Sequence, residues 1–254
     1  MNVYSKLRAS KDILPTHERI IVQKPDTSFQ FRTAWRALGR LRLDPDNTDE
    51  VFIIIRALSG NSGERHYRKF KKTTAGQCIL SEQRNLLETL TDRDYLRSLP
   101  EDSLGHQYLL FTEREKISPE GLVEASESVD RTEVGENRLR FFNRLRDCHD
   151  LQHVTTGWGR DLLGEGSVLT YGIAQNWHHG IALIVAMAFS TGGPDMRAMI
   201  RKAWRRGKQS ENLDFADWEA LLPLPLAQVR DKLGLGEPPV YEPIWSGGAA
   251  ASAG

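Results

Sequence analysis

Apolar positions recur at three- and four-residue steps along most of the chain, the period of helices with one buried face. Phe31, Trp35, Leu38 and Leu41 or Arg42 fall at such steps and predict a helix over 29–43. Val51 to Ile55 is β-branched and would suit a buried strand. A capping turn, Asp44 to Thr48, precedes it and no partner strand lies nearby, so a buried helix is expected. Residues 61–72 are polar and basic, anchored by Tyr67 and Phe70. Ile79 to Leu90 reads as one helix with Ile79, Leu86, Leu87 and Leu90 inward, and Asp92 to Leu96 as a connecting turn. Pro100 to Ser103 opens a helix whose stripe is Leu104, Tyr108 and Phe111; His106 falls off that stripe, toward the surface. Ser118-Pro119 reads as a cap with Pro at the first helical position. Residues 125–136 are acidic and Ser-rich, a solvated loop or short helix.

The second half continues the pattern. Asn137 to Trp158 reads as one helix, and Ser167 to Ser190 as another after a Gly-rich turn. The latter is apolar on several sides from Ile181 to Phe189, which places it centrally. If it begins near Glu165, then Leu169, Gly172, Asn176, His179 and Leu183 share the Glu165 face. Met196, Ile200, Ala203 and Trp204 form a stripe among Arg197, Arg201, Lys202, Arg205, Arg206 and Lys208. Such a basic amphipathic helix packs on a core or lies on an anionic membrane. Phe215, Trp218, Leu221 and Leu222 make a short patch, and Val229, Leu233 and Leu235 a last helix. The expected organisation is a loose arm over 1–27, one helical domain over 28–236 and a Pro/Gly/Ala tail without a core over 237–254.

Composition narrows the classes. The 34 basic and 34 acidic residues balance, which argues against a general nucleic-acid partner. Two cysteines, Cys78 and Cys148, provide no disulfide framework and fit a reducing, cytoplasm-like compartment. The first residues lack an apolar signal core, and Asp12 and Glu18 make a poor mitochondrial presequence. The longest apolar run, Ile181 to Phe189, is too short to span a bilayer, so membrane contact is expected to be peripheral.

The candidate chemistry sits in Arg146-Asp147-Cys148-His149-Asp150-Leu151-Gln152-His153 and in Glu165. His149 and His153, four apart, share a helix face one turn from each other. Two imidazoles at this spacing can hold one divalent metal. Gly157, Gly159 and Gly164 let the chain turn back and bring Glu165 to the same ion. Two His and one carboxylate serve zinc and non-haem iron. Asp150 is a third ligand from this helix, a partner orienting an imidazole, or the i, i+4 salt-bridge partner of Arg146. Arg146 is in turn a candidate to pair with a substrate carboxylate. The plain alternative is a pair of hydrogen-bonded core histidines.

His149-Asp150-x-x-His153, with eleven residues before Glu165, resembles the motif of the coenzyme Q (ubiquinone) biosynthesis family called Coq4. Leu43-Asp44-Pro45-x-x-Thr48, Gly76 to Leu80, Leu99-Pro100 with Ser103-Leu104-Gly105-x-x-Tyr108, and Leu222-Pro223-Leu224 with Val229-Arg230 and Leu233-Gly234 resemble further landmarks, over roughly residues 30 to 236. The resemblance implies an all-α single domain and a divalent metal, zinc before iron, held between two central helices by His149, Asp150, His153 and Glu165. It also implies a hydrophobic groove for a polyprenyl tail and peripheral association with the inner face of a membrane, on the matrix side in a mitochondrion. The implied partners are a polyprenylated aromatic quinone precursor and other ubiquinone-biosynthesis proteins, and a homodimer is compatible with it. Two roles follow: organising the biosynthetic proteins around lipid intermediates, and oxidative decarboxylation that leaves a hydroxyl where the ring carboxyl was. The competing readings are a non-enzymatic lipid-binding scaffold with a structural metal, and a His-Asp phosphohydrolase that would also need His106 and Asp161 or Asp195.

Overall fold

The computed structural model describes residues 28–44, 47–118 and 135–245, and the expectations for 1–27, Pro119 and its neighbours to 134, and 246–254 lie outside them. Among the described residues the chain forms fourteen α-helices, one short 3-10 turn (Leu213–Phe215) and no strand. In chain order the helices are α1 Phe31–Leu43, α2 Thr48–Ala57, α3 Ser62–Phe70, α4 Thr74–Ser81, α5 Leu86–Thr91, α6 Arg93–Ser98 and α7 Leu104–Arg114. They continue as α8 Glu136–Asp147, α9 His149–Thr156, α10 Leu162–Gln175, α11 His179–Thr191, α12 Pro194–Gln209, α13 Trp218–Leu221 and α14 Leu226–Lys232. The all-α expectation holds. The Val51 to Ile55 run lies in a helix, started by the Asn47 side chain accepting from the Glu50 N–H.

The main core joins α7 to the later helices. Leu104, Tyr108 and Phe111 meet Leu151, Trp158, Leu163, Tyr171, Trp218 and Leu222, all buried. Helix α10 lies along α12 and also packs on α11, while α9 packs on α7 and α14. A second, smaller core of Ala37, Leu41, Ile54 and Ile184 joins α1, α2 and α11.

Several boundaries differ from the sequence reading, each for a local reason. Ile79 to Leu90 is two helices, because Gln83 adopts φ 53° and breaks the hydrogen-bond ladder. The segment after Asp92 is helical, since the Asp92 side chain caps the Tyr95 N–H at 2.9 Å. The long helix from Asn137 divides at Cys148, and the one expected over Ser167 to Ser190 begins at Leu162 and divides at Asn176 to His178. His178 then caps α11 by accepting from the Gly180 N–H.

Burial in two helices also departs from what the apolar pattern suggests. In α1 the inward side is Ala34, Ala37 and Leu41, whereas Phe31 and Trp35 are 68% and 72% exposed. Both sets share the helical period, so spacing alone could not choose between them; the small side chains allow α1 to lie close on α2. Helix α11 is not central. Of its apolar residues only Ile184 and Val185, with Gly180, are buried. The tail is corrected in part as well. Through residue 245 it runs against the start of α10, with Leu162 N–H donating to the Ile244 carbonyl (2.8 Å) and Tyr241 O–H to Asp161 Oδ2 (2.7 Å).

The contact between α2 and α11 depends on Gly180, where an added Cβ would lie 2.7 Å from the Ile54 carbonyl oxygen and the Ile55 Cα. Gly180→Ala is therefore expected to lower the unfolding free energy by about 1–3 kcal/mol. Urea denaturation should show a lower midpoint at an unchanged slope. An unchanged midpoint would contradict this close packing.

Candidate metal centre

Helix α9 carries two of the candidate ligands and is held firmly at its C-terminal end. Its C-terminal carbonyls, which the helix itself cannot satisfy, are met by two arginines from distant elements. Arg206 donates to the Thr156 carbonyl (2.6 Å), and Arg230 to those of Thr155 (3.0 Å) and Val154 (3.1 Å). Gly157 ends the helix at φ 78°, a left-handed conformation that favours glycine. The turn then folds onto α10 so closely that a Cβ at Gly164 would lie 1.9 Å from the Gly159 carbonyl oxygen. Asp161 caps α10 through the Leu163 (3.0 Å) and Gly164 (3.3 Å) N–H groups. Glu165 follows in the first turn.

This path brings His149, His153 and Glu165 together, with one ligand atom from each within 4.8 Å of the others. His149 Nε2 and His153 Nε2 are 3.2 Å apart, and each lies 3.5 Å from Glu165 Oε2. The point equidistant from these three atoms lies about 2.0 Å from each, close to the zinc–nitrogen and zinc–oxygen bond lengths of about 2.0–2.2 Å. His153 Nδ1 lies 3.1 Å from the Trp158 carbonyl oxygen, which can only accept. Nδ1 therefore carries the hydrogen, and Nε2 of the neutral ring presents a lone pair to the cluster. Phe111 stacks against the same ring at a centroid distance of 6.1 Å.

Three lone-pair atoms this close repel one another unless a proton or metal cation lies among them. The titration behaviour follows. Burial pushes the His153 pKa down, but the Glu165 charge and hydrogen bond, with Asp150 and the Trp158 carbonyl, outweigh it and raise the value. Burial likewise pushes Glu165 up, yet the His153 charge and the two imidazole hydrogen bonds hold it well below the usual carboxylate range. The His153 side chain is fully enclosed, whereas 30% of His149 and 35% of Glu165 is exposed. The cluster is thus open on one side, and solvent screens part of the Glu165 interactions.

The other sequence candidates fall elsewhere. Asp150 is buried on α9 and does not belong to the three-residue group, although its charge acts on His153. Arg146 donates to the adjacent Asp147 at 2.7 Å and is 10% exposed. Asp161 is taken up as a cap and by Tyr241, Asp195 is exposed in the first turn of α12, and His106 does not join the cluster. His179 sits on a separate helix from Glu165. Cys148 is buried, and burial, then Asp214, pushes its thiol pKa far up, so it presents no thiolate.

One residue that periodicity did not indicate links the ligand helices. Asp214 accepts from Gln152 of α9 (3.0 Å) and from Asn176 at the end of α10 (2.9 Å), and pairs with His66 of α3 (3.1 Å). Arg160, in the glycine turn, lies 4.0 Å from Glu165 Oε1. Neither belongs to an amphipathic stripe; only its placement in space reveals it.

The metal-free cluster makes a prediction with a defined sign. The raised His153 pKa contributes stability fully below its unfolded value near 6.5, lost as pH climbs through the folded value. The lowered Glu165 pKa contributes above its unfolded value near 4.5, lost as pH falls toward the folded value. Both are present between 4.5 and 6.5, so the cluster's contribution to urea stability peaks there. The difference between wild type and His153→Gln, followed against pH, should shrink on the alkaline side. A difference that stays constant across neutral pH would contradict this coupling.

Comparison with known proteins follows the same lines. A mitochondrial ubiquinone biosynthesis protein COQ4 from Lodderomyces elongisporus is 30% identical over 65% of this chain and 44% of its own length. One from Phaeosphaeria nodorum is 26% identical over 91% of this chain and 83% of its own length. The matched stretch spans about half the length of several of these curated relatives. The crystal structure of a candidate ubiquinone biosynthesis protein from Nostoc punctiforme shares the fold, with a TM-score of 0.61 over 83% of this chain and all of that one, at 20% identity. The profile described as "Coenzyme Q (ubiquinone) biosynthesis protein Coq4" matches residues 33–239, and the chain belongs to that family.

Proposed function

We propose that this protein acts in ubiquinone biosynthesis as a metal-dependent enzyme on a polyprenylated hydroxybenzoate, exchanging the ring carboxyl for a hydroxyl. The observation that supports this reading is the open three-ligand cluster of His149, His153 and Glu165. A structural zinc site is closed by four protein ligands, whereas three with an open side leave room for a substrate. This favours an enzyme over a scaffold with a structural metal.

His149, His153 and Glu165 would hold a divalent cation, which would supply Lewis acidity toward a substrate oxygen. The protein's own part is positional. The Trp158 carbonyl and the Phe111 ring fix the His153 imidazole, and Asp214 ties α9 to α10 so that Glu165 faces the imidazoles. The net reaction releases carbon dioxide and adds one oxygen to the ring, a two-electron oxidation with dioxygen as the acceptor. Two imidazoles and one carboxylate suit zinc, which holds and polarises, and iron, which also changes oxidation state.

The same reading gives the face of α1 and α11 to the lipid. A groove of about 790 Å³ lies there, lined by Phe29, Phe31, Trp35, Ala182 and Leu183, with Arg32 and Arg36 and no acidic residue. Exposed Trp and Phe beside arginine suit an anionic bilayer surface. Among the described residues no helix is long and apolar enough to cross a membrane. Other proteins of the pathway are the proposed partners on that surface.

Two experiments test these proposals. A deletion strain should accumulate a prenylated ring that retains its carboxyl. Wild type should restore the quinone, and His149→Ala should not, with metal affinity lower by at least about 100-fold. Metal analysis of the active protein identifies the ion, and a normal quinone profile in the deletion strain would overturn the reading. For the lipid face, Trp35→Glu should reduce sedimentation with phosphatidylglycerol-containing vesicles by about tenfold without changing the urea midpoint, because Trp35 is exposed. Undiminished sedimentation would assign the bilayer to another face.

A further inference from the structure

We propose that Arg160 is the carboxylate-binding side chain of this site, an assignment that rests on the metal reading above. Arg146 is enclosed on α8 and donates to Asp147, whereas Arg160 stands in the glycine turn with 37% of its side chain exposed. Among the described residues it is the only lysine or arginine within 4.0 Å of Glu165. Glu165 turns Oε2 to the two imidazoles and Oε1 to Arg160, so one carboxylate borders both the cluster and the guanidinium. At 4.0 Å the guanidinium is beside that oxygen without a short hydrogen bond, and it makes no other ion pair or hydrogen bond among the described residues.

The turn that presents Arg160 is fixed on both sides. Gly159 N–H donates to the Tyr241 hydroxyl (2.8 Å), which itself donates to Asp161 Oδ2 (2.7 Å). The backbone of Arg160 is thus held while its side chain faces solvent beside Glu165, a member of the cluster on its open side. When a divalent cation occupies the cluster, Glu165 is neutralised by it and the guanidinium is left without a partner. The mouth then carries net positive charge and two planar N–H donors, which match a carboxylate in a bidentate pair. The ligand class is an aromatic carboxylate. Its acid group meets Arg160 at the open side of the cluster.

The assignment predicts effects of opposite sign in one variant of the full chain. Removing the guanidinium relieves its repulsion of the metal, so Arg160→Gln should bind Co(II) tighter by about 3–10-fold in a spectroscopic titration. In calorimetry with zinc-loaded protein the same variant should bind 4-hydroxybenzoate about 10–100-fold more weakly. Binding of the neutral 4-hydroxybenzamide should not change, and Arg160→Lys should recover part of the benzoate affinity. A purely structural role would weaken metal and benzoate together, and that outcome overturns the proposal. Unchanged benzoate affinity in Arg160→Gln, with normal Co(II) uptake, overturns it alone. Inorganic phosphate binding more tightly than benzoate overturns the carboxylate assignment. Absence of Co(II) uptake by wild type removes the metal reading and this proposal with it.

Discussion

Two imidazole nitrogens and a carboxylate oxygen lie within 3.5 Å of one another between α9 and α10. Each can accept a hydrogen bond, so the arrangement requires the positive charge of a proton or a cation among them. A proton can supply that charge, as the raised His153 and lowered Glu165 pKa values indicate, and a divalent cation supplies more of it. The geometry around the cluster reads as the means of keeping these atoms together.

Those means come from across the molecule. Arg206 and Arg230 hold the C-terminal carbonyls of α9, and the Asp161 cap with Tyr241 holds the start of α10. Asp214 links the two helices through Gln152 and Asn176. These are hydrogen bonds to charged groups in largely buried surroundings, where removing one partner strands the other. The side chains of His149, His153 and Glu165 are thus held close to one another by the surrounding fold.

The apolar surface is divided between two tasks. The main core encloses the back of the cluster, including the Trp158 and Phe111 contacts to His153. The smaller core joins α1, α2 and α11 and leaves Phe31 and Trp35 outside it. Large exposed aromatics contribute little to folding where they stand.

Much of this was legible in the residues. Helical periodicity, capping residues such as Ser103 and the turn before α2, and the four-residue spacing of His149 and His153 all depend on local geometry, which neighbouring residues set by themselves. The glycines before Glu165 likewise announced a return of the chain. What only the tertiary structure decided depends on distant partners. It chose Ala34 and Ala37 over Phe31 and Trp35 as the inward side of α1, placed α11 at the surface, and docked residues 237–245 beside the cluster. It also separated Asp150 from the three-ligand group and brought Arg160 to Glu165. Two stripes of equal period look alike until another helix packs on one of them, and a charged side chain has no assigned partner until the fold brings one within reach.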